Sequence, residues 1–300
     1  MTCIDRRDFL RGAVAGTASL ALGTLTRADE SGKKMKKAIG IGMVGENKLP
    51  LGERMKLVRE CGFDGIELNS GIPNRDELKK AIDDAGLGVS EIVDSLHWGK
   101  PFSSASEKVR EEGRAGLKTA LEEAKFFGAT TVLLVPGVVN KQISYADCYT
   151  RSQAEIRAML PVAQETGVAI AIEEVWNDFL LSPVEAARYI DEFNTPLVGA
   201  HFDIGNCANW GYPEQWVRIL GKRILKLHVK EFSRKKADAE GRGKGFNLPL
   251  GDPGGIDWPE VCKALKEIGY TGWATAEING GDRKVMKDVA ERMDKVLELK

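Results

Sequence analysis

The feature that most constrains this chain is a regular alternation of apolar runs with helical patterns. Runs that read as buried strands cover 38–44, 65–69, 89–95, 131–136, 168–173, 197–204, 224–230 and 273–278. Helical patterns fall between them near 53–61, 75–85, 107–127, 145–165, 183–193, 213–220 and 259–268, with a last one over about 282–299. Gly62, Gly86, Gly128, Gly167 and Gly269 follow five of these patterns, where C-terminal caps belong. Pro183 and Pro259 stand where two of them begin. Eight strand–helix units in one stretch predict an α/β chain folded as a (β/α)8 TIM barrel. A doubly wound sheet would carry a glycine-rich phosphate turn after its first strand. Gly40, Gly42 and Gly45 spell that motif, but they fall within the first apolar run.

Residues 1–28 read as a twin-arginine signal peptide. Arg6 and Arg7 precede Asp8-Phe9-Leu10, and an uncharged stretch follows over 12–26. That stretch is short for a spanning helix, and Thr26-Arg27-Ala28 fits a small-x-small cleavage site. Residues 29–37 are then a charged linker and 38–300 the barrel. The expected location is periplasmic or otherwise exported, with the twin-arginine export machinery as a partner.

A chain of 300 residues with 43% hydrophobic side chains can bury a large core without disulfides. Its net charge of −1 gives no electrostatic footprint for nucleic acid, which is not expected as a partner. Cys61, Cys148, Cys207 and Cys262 form no Cys-x-x-Cys pair, so buried free thiols are expected. The longest connection, 233–256, is read as a structureless loop on the mouth face of the barrel. Its basic residues are either solvated or include a substrate-facing arginine.

Four apolar runs end in a side chain that binds metals: Glu173, Asp203, His228 and Glu277. Strand alternation gives Ala169, Ala171 and Glu173 one face, and likewise Gly199, His201 and Asp203. Lys226 shares a face with His228, and Trp273 and Thr275 share one with Glu277. Small residues beneath a charged tip suit a crowded barrel interior. A carboxylate aimed into that interior is costly unless paired or bound to metal. Each acid alone could instead cap a helix or pair with lysine; four together favour one divalent ion. Three carboxylates and one imidazole suit Mn2+, Co2+ or Mg2+ better than a thiolate-seeking ion, and Zn2+ stays open. Glu174 points away from the axis by the same alternation, and His201 sits one layer below Asp203.

The segments Ala171-Ile-Glu173-Glu-Val-Trp-Asn177, Phe202-Asp203-Ile-Gly-Asn206, Leu227-His228-Val-Lys-Glu231 and Ala276-Glu277-Ile resemble the xylose-isomerase-like sugar isomerases and epimerases. D-tagatose 3-epimerase, hydroxypyruvate isomerase and inosose dehydratase belong to that group. The resemblance implies that Glu173, Asp203, His228 and Glu277 hold one divalent ion, Mn2+ foremost. It also implies that Glu173 and Glu277 exchange protons with substrate. Arg234, six residues beyond His228, stands where the epimerases bind substrate, and Asn206 stands where they often carry histidine. Glu67 closes the second strand, where the family often has glutamate. It either orients a substrate hydroxyl or pairs with Lys226 or Lys230. His97, Trp176 and Asn177 follow the third and fifth strands and are candidate sugar contacts, with loop packing as the plain alternative.

The reading is a metal-dependent isomerase or epimerase acting through an enediolate on a ketose, keto-sugar or related polyol derivative. A lyase or dehydratase would use the same site, and a non-catalytic sugar-binding barrel is the other alternative. The expected partner is a small carbohydrate, and a homo-oligomer is compatible with the sequence. Replacing Arg6 and Arg7 by lysine should retain the full-length chain in the cytoplasm. N-terminal sequencing of exported material should begin near Asp29; a native protein still starting at Met1 would contradict the leader.

Overall fold

The computed structural model describes residues 35–299; the expected leader lies outside the described residues. The first half runs β1 (Lys36–Gly40), α1 (Leu51–Glu60), β2 (Gly65–Asn69), α2 (Arg75–Asp84), β3 (Gly88–Val93), α3 (Glu107–Phe127), β4 (Thr131–Leu134) and α4 (Tyr145–Thr166). The second runs β5 (Ala169–Glu173), α5 (Pro183–Asp191), β6 (Val198–Asp203), α6 (Ile204–Ala208), α7 (Pro213–Leu220), β7 (Ile224–Val229), α8 (Arg234–Glu240), α9 (Trp258–Glu267), β8 (Trp273–Ala276) and α10 (Arg283–Val296). The strands are parallel and close into one barrel in chain order, β8 meeting β1 through Ile39 and Ala276.

Local chemistry starts and stops the helices as the sequence suggests. Ser144 accepts a hydrogen bond from the Asp147 N–H at the start of α4. Ser182 does the same for Glu185 ahead of α5, with Pro183 as its first residue. Gly128 and Gly167 end α3 and α4 at φ of 76° and 72°, a region that disfavours residues with a Cβ. Apolar helix faces then cover the barrel: Leu117 and Leu121 from α3 and Val261 and Leu265 from α9 are buried, as are Met286 and Met293 from α10. Cys61, Cys148, Cys207 and Cys262 are buried free thiols.

The interior is layered. At the bottom the Trp273 indole lies against two residues without side chains. A Cβ at Gly65 would meet that ring at 2.6 Å, and one at Gly88 would meet it at 3.0 Å. Above it Thr275 donates to the Ser90 hydroxyl at 3.3 Å. Higher still the lining becomes charged.

Several features differ from expectation. β1 starts at Lys36 and stops at Gly40, because the chain turns through a 3-10 segment over Ile41–Met43. Gly40, Gly42 and Gly45 therefore mark the strand's exit rather than its interior. β8 stops at Ala276, one residue before Glu277, although the Glu277 N–H still donates to Val229 O at 3.1 Å. The connection after β7 is not structureless: it holds α8 and a 3-10 turn over Arg242–Phe246.

Glu231, just beyond β7, anchors the rest of that connection. Its carboxylate is buried and accepts from Gly251 N at 2.7 Å, Ile256 N at 2.7 Å and the Trp258 indole N–H at 2.8 Å. A Cβ at Gly255 would lie 2.1 Å from its Oε1, so only glycine fits there. Glu231→Ala would strand these three donors and the Phe232 N–H, which donates to Oε1 at 3.2 Å. It should cost about 3–5 kcal/mol in urea unfolding, the range for breaking a buried charged interaction. A loss within about 0.5 kcal/mol would contradict the anchoring role.

Candidate metal centre

The barrel brings the four predicted strand-end residues together. One ligand atom each from Glu173, Asp203, His228 and Glu277 lies within 4.8 Å of the others. β5 ends on Glu173 and β6 on Asp203, while β7 carries His228 one residue from its end. Asp203 pairs in register with His228, and His228 with Thr275, so Glu277 approaches from one layer nearer the mouth. His228 Nδ1 stands 3.5 Å from Glu173 Oε1, 3.3 Å from Glu277 Oε2 and 3.8 Å from Asp203 Oδ2.

Two of the four, Asp203 and His228, are oriented from behind. Asp203 spends Oδ1 on the Asn206 N–H at 2.8 Å, capping α6, which turns Oδ2 toward the centre. His228 Nε2 meets Glu67 Oε2 at 2.8 Å. A carboxylate on Nε2 favours the proton there and leaves the Nδ1 lone pair for a metal. Glu67 is therefore a partner of His228, a pairing that neither alternative drawn from the sequence named.

The electrostatics fit a cation. Glu173 Oε1, Asp203 Oδ2 and His228 Nδ1 are buried without a well-aligned hydrogen bond. Burial raises the Glu173 and Asp203 carboxyls above their ordinary values. Burial would also raise Glu277, but the His228 ring and Lys230 ammonium outweigh it and hold Glu277 well below the carboxylate range. For His228, burial would lower the imidazole, yet Glu67 and Glu277 around it hold it well above its usual value. This oxygen-rich set with one imidazole lone pair suits a borderline-to-hard divalent ion.

Beneath the ligands His201 lies where alternation put it, and its partner, Glu91, is one that sequence reasoning missed. Glu91 Oε2 meets His201 Nδ1 at 3.0 Å, both side chains wholly buried. The His201 ring packs edge-on against His228 at 4.1 Å. Burial pushes Glu91 up to about 7 and His201 down to about 4. The signal for Glu91 is masked by an irregularity in β3. Ile66 pairs with Val89 but Leu68 with Ile92, so one extra residue is accommodated between them. Ser90 and Glu91 consequently both reach interior partners, Thr275 and His201.

The other predicted contacts divide. Trp176 donates to Asn206 O at 3.5 Å, joining the loops after β5 and β6. Asn177 is buried and uses its amide on backbone, donating to Gly137 O at 2.7 Å and accepting from Val175 N at 3.3 Å. His97 Nδ1 accepts from Val135 N at 3.2 Å, and burial pushes this imidazole down to about 4. Arg234 departs from expectation. Its guanidinium donates to Ala208 O at 2.7 Å and to Gly211 O, and stacks on Tyr212 at 4.6 Å. Backbone carbonyls at the end of α6 capture it, so it braces the connection after β7 instead of facing the ligands. Arg242 joins the same brace, with its guanidinium 4.2 Å from the Trp176 ring and 4.0 Å from the Trp210 ring.

Residues 55–296 match the family described as the xylose isomerase-like TIM barrel. An L-ribulose-5-phosphate 3-epimerase of Escherichia coli (strain K12) is 26% identical over 255 residues, covering 79% of this chain and 86% of that one. The D-psicose 3-epimerase of Clostridium cellulolyticum H10 superposes with a TM-score of 0.71 at 18% identity, covering 88% of this chain and 99% of that one. The 3-keto-D-glucoside 4-epimerase of E. coli superposes with a TM-score of 0.71 at 17% identity, covering the same shares.

The ligand set can be tested directly. Purified protein should hold about one divalent ion per chain. Glu173→Gln, Asp203→Asn, His228→Ala and Glu277→Gln should each weaken binding by about tenfold or more. Glu174→Gln should not, because Glu174 Oε1 accepts from the Trp210 indole at 3.0 Å, outside the set. Metal analysis after dialysis reads the outcome; equal losses at Glu174 would mean the ligand set is misassigned.

Proposed function

The chain belongs to the xylose isomerase-like TIM barrel family, and on that premise we propose that it is a divalent-metal-dependent sugar isomerase or epimerase. The observation that carries this reading is the convergence of Glu173, Asp203, His228 and Glu277 at one point of the barrel mouth. The activity named for the E. coli relative, epimerisation of a ketose phosphate, supports the reaction class. The substrate we propose is a ketose, keto-sugar or related polyol derivative, with Mn2+ as the resident ion. We also retain the twin-arginine leader over 1–28 and an exported location, on the strength of Arg6 and Arg7.

When bound, the ion supplies Lewis acidity, polarising a carbonyl and acidifying the neighbouring C–H. The chain's own residues do the rest. Glu173 comes from the end of β5 and Glu277 from beyond β8, on different sides of the barrel. Two carboxylates so placed exchange protons with two faces of one carbon, or with two adjacent carbons. His228, fixed by Glu67, and Asp203, fixed by the Asn206 N–H, hold the centre in place. Trp176, with Phe246 5.0 Å from it, contributes an apolar wall suited to the C–H face of a sugar.

The test is solvent exchange. With Mn2+ in D2O, the protein should place deuterium on the carbon beside the carbonyl of an accepted ketose or 3-keto-glycoside. Glu173→Gln or Glu277→Gln should reduce that rate by about a hundredfold or more. A protein that holds metal yet exchanges no deuterium across ketoses and 3-keto-glycosides is a sugar-binding barrel, and this reading fails.

A further inference from the structure

Lys230 belongs to the centre and is absorbed by none of the roles above. It lies two residues beyond His228, so alternation gives it the same face, one layer nearer the mouth. Its Nζ stands 2.8 Å from Asp203 Oδ2 and also donates to Glu277 Oε2. The side chain is only 13% exposed. Its path is built. A Cβ at Gly205 would fall 2.3 Å from Lys230 Cγ, so the aliphatic stem crosses the bare glycine of α6. Phe246, from the connection after β7, backs the ammonium at 5.2 Å from its ring centre.

We propose that Lys230 is a catalytic residue: with the divalent ion it neutralises the three carboxylates, and it donates a hydrogen bond to the substrate oxygen on which charge develops. The inference rests on the metal-dependent proton-transfer reading. The charge argument is direct. Glu173, Asp203 and Glu277 carry three negative charges when ionised, a divalent ion offsets two, and the ammonium offsets the third. A substrate entering from the mouth meets Lys230 before it reaches His228. An ammonium has three N–H donors and here faces two carboxylates, which leaves one for an incoming oxygen. A fixed cation beside a developing oxyanion lowers the barrier without reorganising during the reaction.

A bound divalent ion would compete with the ammonium for the oxygens of Asp203 and Glu277, so removing the ammonium should strengthen the hold on the ion. Mn2+ affinity is measured by titration calorimetry, and deuterium exchange is followed on an accepted ketose. Lys230→Met should bind Mn2+ about tenfold or more tightly, while kcat for exchange falls about a hundredfold or more. Lys230→Gln should behave alike and provides a second uncharged variant should the first not fold. Lys230→Arg, which restores the charge, should return Mn2+ affinity toward that of the unaltered chain. Affinity and turnover falling together in the uncharged variants would make the lysine a scaffold for ligand geometry and overturn the proposal. Unchanged turnover would overturn it as well. If the unaltered chain exchanges no deuterium, the functional reading fails separately. The affinity arm still decides Lys230: unchanged or weaker Mn2+ binding in the uncharged variants sinks it.

Discussion

Carboxylates gathered around one imidazole at the end of a parallel barrel repel one another, and much of this molecule answers that repulsion. Glu173, Asp203 and Glu277 surround His228 Nδ1, while Glu67 takes the other ring nitrogen. Desolvation of such a cluster is costly unless opposite charge is supplied. Lys230 supplies some from the mouth. Below, His201 and Glu91 shift in opposite directions, toward a neutral imidazole and a carboxyl that protonates near neutrality.

Holding those ligands in place is work shared by the connections. The segment after β7 would be a long loop if left to solvent. Glu231 instead ties its far end to three donors near α9, and Arg234 ties its near end to carbonyls at the end of α6. Arg242 bridges tryptophans from the connections after β5 and β6. The wall beside the centre is therefore assembled from three connections clasped by charged groups, each on a partner that satisfies it. Phe246, within this segment, places its ring centre 5.2 Å from Lys230 Nζ.

The barrel and the convergence of Glu173, Asp203, His228 and Glu277 were legible because both follow from period-two alternation and strand ends. Glu173 and Glu174 are chemically identical neighbours, yet alternation separated them, and Glu174 does turn aside to Trp210. Glu91 was not legible, because the irregularity in β3 breaks the parity on which the reading relied. The destination of Arg234 was not legible either. Its offset from His228 gave its place on the chain, but backbone carbonyls at 208 and 211, distant in sequence, decide where the guanidinium goes. His228 was not among the partners that the sequence offered Glu67. Two lysines and a histidine share that face of β7, and only the closed barrel tells which one it meets.

The contact between Gly205 and Lys230 has a consequence for how sequences of this fold can vary. Gly205 allows ordinary helical backbone, and nothing in its φ demands glycine. The constraint comes from the neighbouring strand, whose lysine stem fills the space that a methyl would take. Substitution at one position is therefore conditional on the other. A lineage that gains a side chain at 205 must shorten or redirect the residue at 230, and must also relieve a 3.0 Å approach to the backbone oxygen at 230. Change at 205 should therefore be found only in company with change at 230, whereas 230 can change alone.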